Sequence, residues 1–258
     1  MNDVVIIGGG QAAMQTVDSL RREGFEGSIT LLSEETHLPY QRPPLSKKFL
    51  SGELEQARLF FRPEDFYTLR GVTLMLGTRV AEIDRIGTVV HTEDGRTVPY
   101  DALVLAVGAR VRRLPVPGAD LSGVHYLRTL DDSRAIAVEL AGAGRVCVIG
   151  GGFIGLEVAA VCREMGKEVT VVETGDRLMA RAVSPMISDY YRDYHTAKGV
   201  EILTGTTVTG LRGDTRVAEV CLADGGSRSA ELVVVGIGIE PNTELATAVG
   251  IDCDNGIL

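Results

Sequence analysis

Arg145 to Glu157 reads RVCVIGGGFIGLE. Val146, Cys147, Val148 and Ile149 favour a strand and run into Gly150, Gly152 and Gly155, spaced as GxGxxG, with a helical pattern following to Gly166. The spacing predicts a strand, a tight turn and a helix N-terminus. The first glycine permits the turn, the second lets a pyrophosphate approach the backbone, and the third lets helix and strand pack closely. Phosphates would then lie on unpaired N–H groups at the positive end of the helix dipole. A lone GxGxxG is weak, but Glu173 closes the next apolar strand (VTVVE). A carboxylate there can accept hydrogen bonds from an adenosine ribose.

The same unit occurs a second time. Val4 to Gly10 reads VVIIGGG, a helical run follows to Gly24, and ITLL at Ile29 to Leu32 leads into Ser33, Glu34 and Glu35. Both copies thus have strand, glycine loop, helix, strand and acid in order. Two ordinary strand-to-helix turns would need the acid to recur by coincidence, so a dinucleotide site is expected in each copy.

The 258 residues allow two domains of ordinary size. With 45% hydrophobic and 24% charged residues the composition is that of a soluble globular chain, and a net charge of −9 argues against nucleic acid as a partner. No apolar run approaches the roughly 20 residues of a membrane span, and no signal peptide is visible. A cytoplasmic protein is expected. Cys147, Cys162, Cys221 and Cys253 form no CxxC pair, and buried small hydrophobes are the expectation. His37, His91, His125 and His195 are scattered without ligand spacing, so no metal is expected.

After the first copy comes HLPYQRPP (His37 to Pro44), whose prolines cannot lie inside a helix or a central strand. A shaped loop is predicted there, then a short helical piece over Leu45 to Leu50, and a helix over Pro63 to Arg70. Val72 to Tyr100 alternates in short runs that suit antiparallel strands. Ala102 to Gly108 (ALVLAVG) would return to the first sheet, and RVRRLPVP from Arg110 would cross between domains. Helices are predicted over Asp131 to Ala141 and Ser184 to Lys198, the latter with Ser184 able to cap and Pro185 at its first position. Strand-rich segments follow, and Leu232 to Gly238 (LVVVGIG) mirrors ALVLAVG, so even the return strand is duplicated.

The segments GGGQAA, LVLAVGARVRRLPVPG, YLRTLDD, VIGGGFIGLEVAA and GIGIEPNTELA together resemble the FAD-dependent pyridine nucleotide oxidoreductases. LPYQRPPLSK at Leu38 to Lys47 is similar to the ferredoxin and rubredoxin reductase branch of that family. The resemblance implies an α/β fold of two Rossmann-like three-layer dinucleotide-binding domains, each with a small antiparallel strand segment. Residues 1–113 would begin the FAD domain, 114–240 would form the inserted NAD(H) domain, and 241–258 would begin the returning FAD segment. Relatives continue past DNGIL with a strand whose Gly-Asp pair binds FAD and then an interface domain, so a chain truncated before these is implied. Ala13 stands for the third glycine of the first loop, which the fingerprint allows. Val107 stands where the family usually has threonine.

The resemblance further implies that hydride passes from NADH to FAD and that single electrons leave for a small iron–sulfur ferredoxin or a rubredoxin. The glutathione reductase branch carries a cysteine pair where this chain has Pro-Tyr-Gln-Arg-Pro-Pro-Leu-Ser-Lys, so no thiol relay is expected there. Two other outcomes stay open: an NADH oxidase or disulfide reductase, which would need a cysteine near Gln41 to Lys47, and an NAD-binding module without redox activity.

The site candidates follow from the same motifs. Lys47 and Glu157 are the catalytic candidates. Lys47 and Arg42 match flavin contacts, where the lysine can stabilise negative charge on a reduced ring and the arginine can serve phosphate or ring oxygens. Glu157 matches a carboxylate that approaches that lysine and would attract its ammonium, or it is a carboxylate favoured at a positive helix end. In the first copy the dinucleotide-binding candidates are Gly8, Gly10, Ala12, Ala13, Glu34, Glu35, Ala106 and Gly108, with Val80 and Arg128 as further FAD contacts. In the second copy they are Gly150, Gly152, Phe153, Ile154, Gly155, Glu173, Arg181, Gly236 and Gly238. Phe153 could lie between nicotinamide and flavin or could pack. Glu173 favours NADH over NADPH by repelling a 2′-phosphate, while Arg177 and Arg181 keep NADPH open. Arg110, Arg112 and Arg113 are read as a solvated linker or, alternatively, as a patch steering an acidic carrier.

Overall fold

The computed structural model describes residues 2–258. The chain divides into two compact units: residues 1–41, 56–110 and 240–258 form one, and residues 42–55 and 111–239 form the other. The second is therefore inserted in the first, and the loop Arg42 to Glu55 groups with the second unit and not with the segments flanking it in sequence.

The first unit is built on a parallel sheet of four strands in the order Val72–Met75, Ser28–Leu32, Asp3–Ile7, Ala102–Leu105. Alternate residues of the central strand serve opposite faces, as strand geometry requires. Val4 and Ile6 pack with Ala13, Met14 and Val17 of the helix Gln11–Arg22. Val5 and Ile7 pack with Val80, Ile83 and Val90 of a three-stranded antiparallel sheet, Val80–Asp84, Val89–Thr92 and Thr97–Pro99. Each such side chain, fully buried, contributes roughly 1.5–3 kcal/mol. The result is three layers: helix, parallel sheet, antiparallel sheet.

The second unit repeats this plan. Its parallel sheet has the order Val200–Leu203, Glu168–Val172, Arg145–Ile149, Leu232–Val235, Val124–Tyr126. Helix Phe153–Glu164 buries Leu156, Val158, Ala159 and Cys162. The antiparallel sheet Val208–Gly213, Val217–Leu222, Ser227–Ser229 packs Leu211, Val220 and Leu222 on Cys147 and Ile149. The α/β fold of two duplicated three-layer domains is thus as the sequence led us to expect.

Local departures have local causes. Val72–Met75 is a parallel edge strand, not part of the antiparallel set; alternating burial alone does not separate the two. Leu45 to Leu50 is not an α-helix. A 3₁₀ turn spans Pro43–Ser46, because the two prolines lock φ and supply no N–H. Ser184 precedes helix Pro185–Ala197 without a side-chain capping bond. Helix Leu130–Gly142 instead carries a full capping box, Thr129 Oγ1 accepting from Asp132 N–H while the Asp132 carboxylate accepts from Thr129 N–H. Among the described residues no helix is long and apolar enough to cross a membrane, and no group of three or more His, Cys, Asp or Glu is placed to hold a metal ion.

Candidate functional site

The two glycine loops share one hydrogen-bond frame. Gly8 N–H donates to Leu32 O at 2.8 Å and Gly150 N–H donates to Val172 O at 2.8 Å. On the other side, Ala106 N–H donates to Ile7 O and Gly236 N–H to Ile149 O, at 2.8 and 2.7 Å. Gly8 and Gly150 have φ of 123° and 112°, and a Cβ on either would lie 2.1 Å from Ala106 O or 2.4 Å from Gly236 O. Only glycine fits both demands. By contrast, nothing lies within 4 Å of a Cβ built on Gly10 or Gly152, the N-cap positions of the two helices. Each loop therefore leaves an open cradle at a helix N-terminus, which fits a dinucleotide pyrophosphate.

The third glycine differs between copies. A Cβ on Gly155 would meet Gly150 O at 2.0 Å, whereas Ala13, at the matching place, is fully buried with its methyl accommodated. Ala12 and Ile154 are exposed beside these positions, and Gly108 and Gly238 are exposed past the return strands. Phe153 is 51% exposed on the rim of a half-open cavity of about 320 Å³, lined also by Leu156, Glu157, Ala160, Met179, Tyr190, Tyr191, Tyr194 and His195. Its ring is therefore not a core packing residue. Burial holds His195 below its ordinary value.

The strand-end acids also diverge. Glu173 Oε2 accepts from Gly151 N–H and Oε1 from Gly175 N–H, both at 2.7 Å, so the carboxylate is fixed at the mouth of the second loop. Glu173 N–H bonds Leu203 O, and its carbonyl accepts from Thr206 N–H; in the first copy the same two bonds belong to Ser33, with Met75 O and Thr78 N–H. Ser33 is thus the counterpart of Glu173. Glu34 follows it, exposed, 3.5 Å from Arg79, and Glu35 accepts from the Tyr40 hydroxyl at 2.5 Å. Val80 is buried in the first unit.

A second constellation lies within the second unit. Lys47 Nζ is 2.9 Å from Glu157 Oε2, and the buried Ser46 donates its hydroxyl to the same oxygen at 2.5 Å. Arg42 donates to Arg128 O at 2.7 Å, and Ser133 Oγ donates to Leu45 O at 2.7 Å. The loop thus brings Lys47 to Glu157 and Arg42 to Arg128. Ser46 and Ser133 were not singled out from the sequence, since nothing in their local pattern marks a partner so far along the chain. Arg177 is turned to protein, donating to Val183 O, Ala180 O and Ser188 Oγ, while Arg181 is exposed. Arg110 pairs with Glu244 and Glu240, and Arg113 stacks on Tyr126 at 4.4 Å, so these cations are engaged and do not form a free patch.

Comparison with known proteins agrees with this geometry. Over 256 residues the chain is 46% identical to rhodocoxin reductase of Rhodococcus erythropolis, covering 99% of this chain and 60% of that protein. The chain thus spans about three fifths of that relative's length. The crystal structure of the ferredoxin reductase for the CYP199A2 system from Rhodopseudomonas palustris superposes with a TM-score of 0.97 at 44% identity, covering 100% of this chain and 64% of the other. The reductase in a covalent putidaredoxin reductase–putidaredoxin complex gives 0.96 at 41% identity, covering 99% and 63%. With its residues 2–258 matched by the family model, the chain belongs to the pyridine nucleotide-disulphide oxidoreductase family.

Proposed function

We propose that this chain works as an FAD-containing, NADH-dependent reductase that hands electrons to a small iron–sulfur ferredoxin or a rubredoxin. The observation that carries the reading is the Lys47–Glu157 pair, 2.9 Å apart, with the carboxylate one turn into the helix that opens at the second glycine loop. It stands in a chain that has no cysteine before Cys147. When bound, FAD supplies the chemistry, taking a hydride equivalent and releasing electrons singly. The protein's part is position and charge. The cradles at Gly10 and Gly152 would receive the pyrophosphates, Lys47 would supply a cation that favours negative charge on the cofactor, and Glu157 holds that ammonium at 2.9 Å. Without cysteines in residues 38–47 there is no dithiol relay, so the outlet fits a docked one-electron carrier. The names of the relatives, which give rhodocoxin, ferredoxin and putidaredoxin as the partners of those proteins, support the same outlet.

Glu173 supports NADH as the donor. Its charge is pinned by two loop N–H groups where a 2′-phosphate would have to sit, and the nearby Arg177 is already engaged by protein acceptors. Glu173→Gln, which keeps the shape and removes the charge, is expected to shift the NADH-to-NADPH preference toward NADPH by roughly tenfold, the value of one lost charge repulsion near the surface. An unchanged ratio of kcat/KM values would refute the assignment.

The function is tested by reconstituting the chain with FAD, bleaching the flavin spectrum with NADH, and following reoxidation on adding a ferredoxin or rubredoxin. A folded chain that takes up no flavin sinks the reading. The second reading, an NAD-binding module without redox activity, rests on the pinned Glu173 being peculiar to the second copy. Calorimetric titration with each nucleotide separates the two, since the module would bind NADH and not FAD.

A further inference from the structure

We propose that Ser46 is a positioning residue for the Lys47–Glu157 pair: its hydroxyl clamps the Glu157 carboxylate so that the oxygen shared with Lys47 stays turned toward the loop. The inference rests on the role given to Lys47 above. Ser46 Oγ and Lys47 Nζ converge on one atom, Glu157 Oε2, at 2.5 and 2.9 Å. The three groups differ in burial. Ser46 is 5% exposed, while the side chains of Lys47 and Glu157 are 48% and 29% exposed. An ion pair so open to water holds its geometry weakly. A buried hydroxyl bonded to a charged acceptor is among the stronger hydrogen bonds. In this trio, then, the hydroxyl fixes the carboxylate and the ammonium follows.

The hydroxyl is itself well anchored. Ser133, fully buried on helix Leu130–Gly142, donates to Leu45 O at 2.7 Å, and Lys47 N–H closes the 3₁₀ turn onto Pro44 O at 3.0 Å. Lys47 Nζ has a second acceptor in Pro43 O at 3.1 Å. The arrangement has a functional sense: if the ammonium swings toward a bound ring, Glu157 keeps a donor and remains in place for its return.

The test is acetylation of lysines by acetic anhydride in the chain without nucleotide, read by mass spectrometry as the ratio of Lys47 to its neighbour Lys48. Ser46→Ala is expected to raise that ratio by roughly two- to fivefold, the most that release of so exposed an ion pair allows. Ser46→Thr, which keeps the hydroxyl, restores it. Ser46→Cys, close in volume but a weak donor, gives the same rise and serves where Ser46→Ala does not fold. Ser133→Ala loosens the loop but leaves the Ser46–Glu157 bond in place, and raises the ratio less than Ser46→Ala does. In a Glu157→Ala background the Ser46→Ala change adds nothing further. The proposal is overturned if Ser46→Ala and Ser46→Cys both leave the ratio unchanged, if Ser133→Ala raises it equally, or if the rise persists without Glu157. Since no nucleotide is present, failure to bind FAD would sink the proposed function and leave this result standing, and the converse holds too.

Discussion

Gly152 and Gly155 sit three residues apart in one loop, yet replacing each by alanine is expected to damage different things. At Gly155 a Cβ would lie 2.0 Å from Gly150 O and 3.2 Å from Val148 Cγ1. Ordinary contact begins near 3.4 Å, so helix and strand must part by well over an ångström, and the obstructing atom is backbone. Overpacking of this kind costs about 1–3 kcal/mol, and the backbone obstacle puts Gly155→Ala at the upper end. Alanine's better helix propensity offsets about 1 kcal/mol, which leaves a net loss of about 2 kcal/mol. For a chain of this size that is a fall in Tm of roughly 4–8 °C.

At Gly152 the same methyl meets nothing within 4 Å, and φ of −82° is open to any residue. The folded chain should lose under about 1 kcal/mol, the difference between glycine and alanine at an N-cap. The methyl nevertheless enters the space that a pyrophosphate needs. NADH affinity is expected to drop by at least about tenfold, the effect of about 1.4 kcal/mol. Calorimetric melting and isothermal titration on both variants check the pair. The reasoning is refuted if Gly152→Ala binds NADH like the parent chain, or if Gly155→Ala melts with it.

The four thiols should divide into two classes. Burial pushes the Cys147 and Cys162 thiols up to about 12, so native alkylation near neutral pH should modify Cys221 and Cys253 first and leave the other pair until the chain unfolds; early labelling of Cys147 would contradict the core assignment. Glu139 should set part of the acid limit of stability. Burial pushes its carboxyl up, but the close approach of His125 at 2.9 Å and the hydrogen bond from Arg216 outweigh that and hold it below the ordinary 4.5. Because the folded value is the lower one, the group's contribution is complete above about pH 4.5 and is lost as pH falls through the folded value. Glu139→Gln is therefore expected to destabilise at pH 7 and to flatten the loss of stability between pH 5 and pH 3, which denaturant titration at several pH values would measure; parallel acid profiles would count against it.

How far the sequence could be read depends on the range over which each feature is encoded. The glycine loops, the return strands and the helix after Gly10 or Gly152 are written in stretches of a few residues, where steric rules act directly, and all were legible. The capping box at Thr129 and Asp132 is equally local, and its Thr-x-x-Asp spacing was available to be read. The direction of Val72–Met75 was not, because alternating burial is common to parallel edge strands and hairpin strands alike. Ser46 to Glu157 spans 111 positions, and no pattern inside PYQRPPLSK announces that its serine, and not only its lysine, faces a distant carboxylate.

The duplication carries the argument further than either copy alone. Matching the two hydrogen-bond frames puts Ser33 opposite Glu173 and Ala13 opposite Gly155. The acid that looks equivalent in sequence, Glu34, is one residue past its place and turned toward Arg79. A common fold thus leaves the same open space at Gly10 and at Gly152. The two substituted positions decide how closely each helix packs on its strand and whether an anion guards the ribose end. On the proposed reading, it is at these two positions, more than at the shared glycines, that the copies would prefer different dinucleotides. Exchanging them singly, Ser33→Glu in one copy and Glu173→Ser in the other, should move nucleotide preference while leaving the Gly8 and Gly150 turns intact.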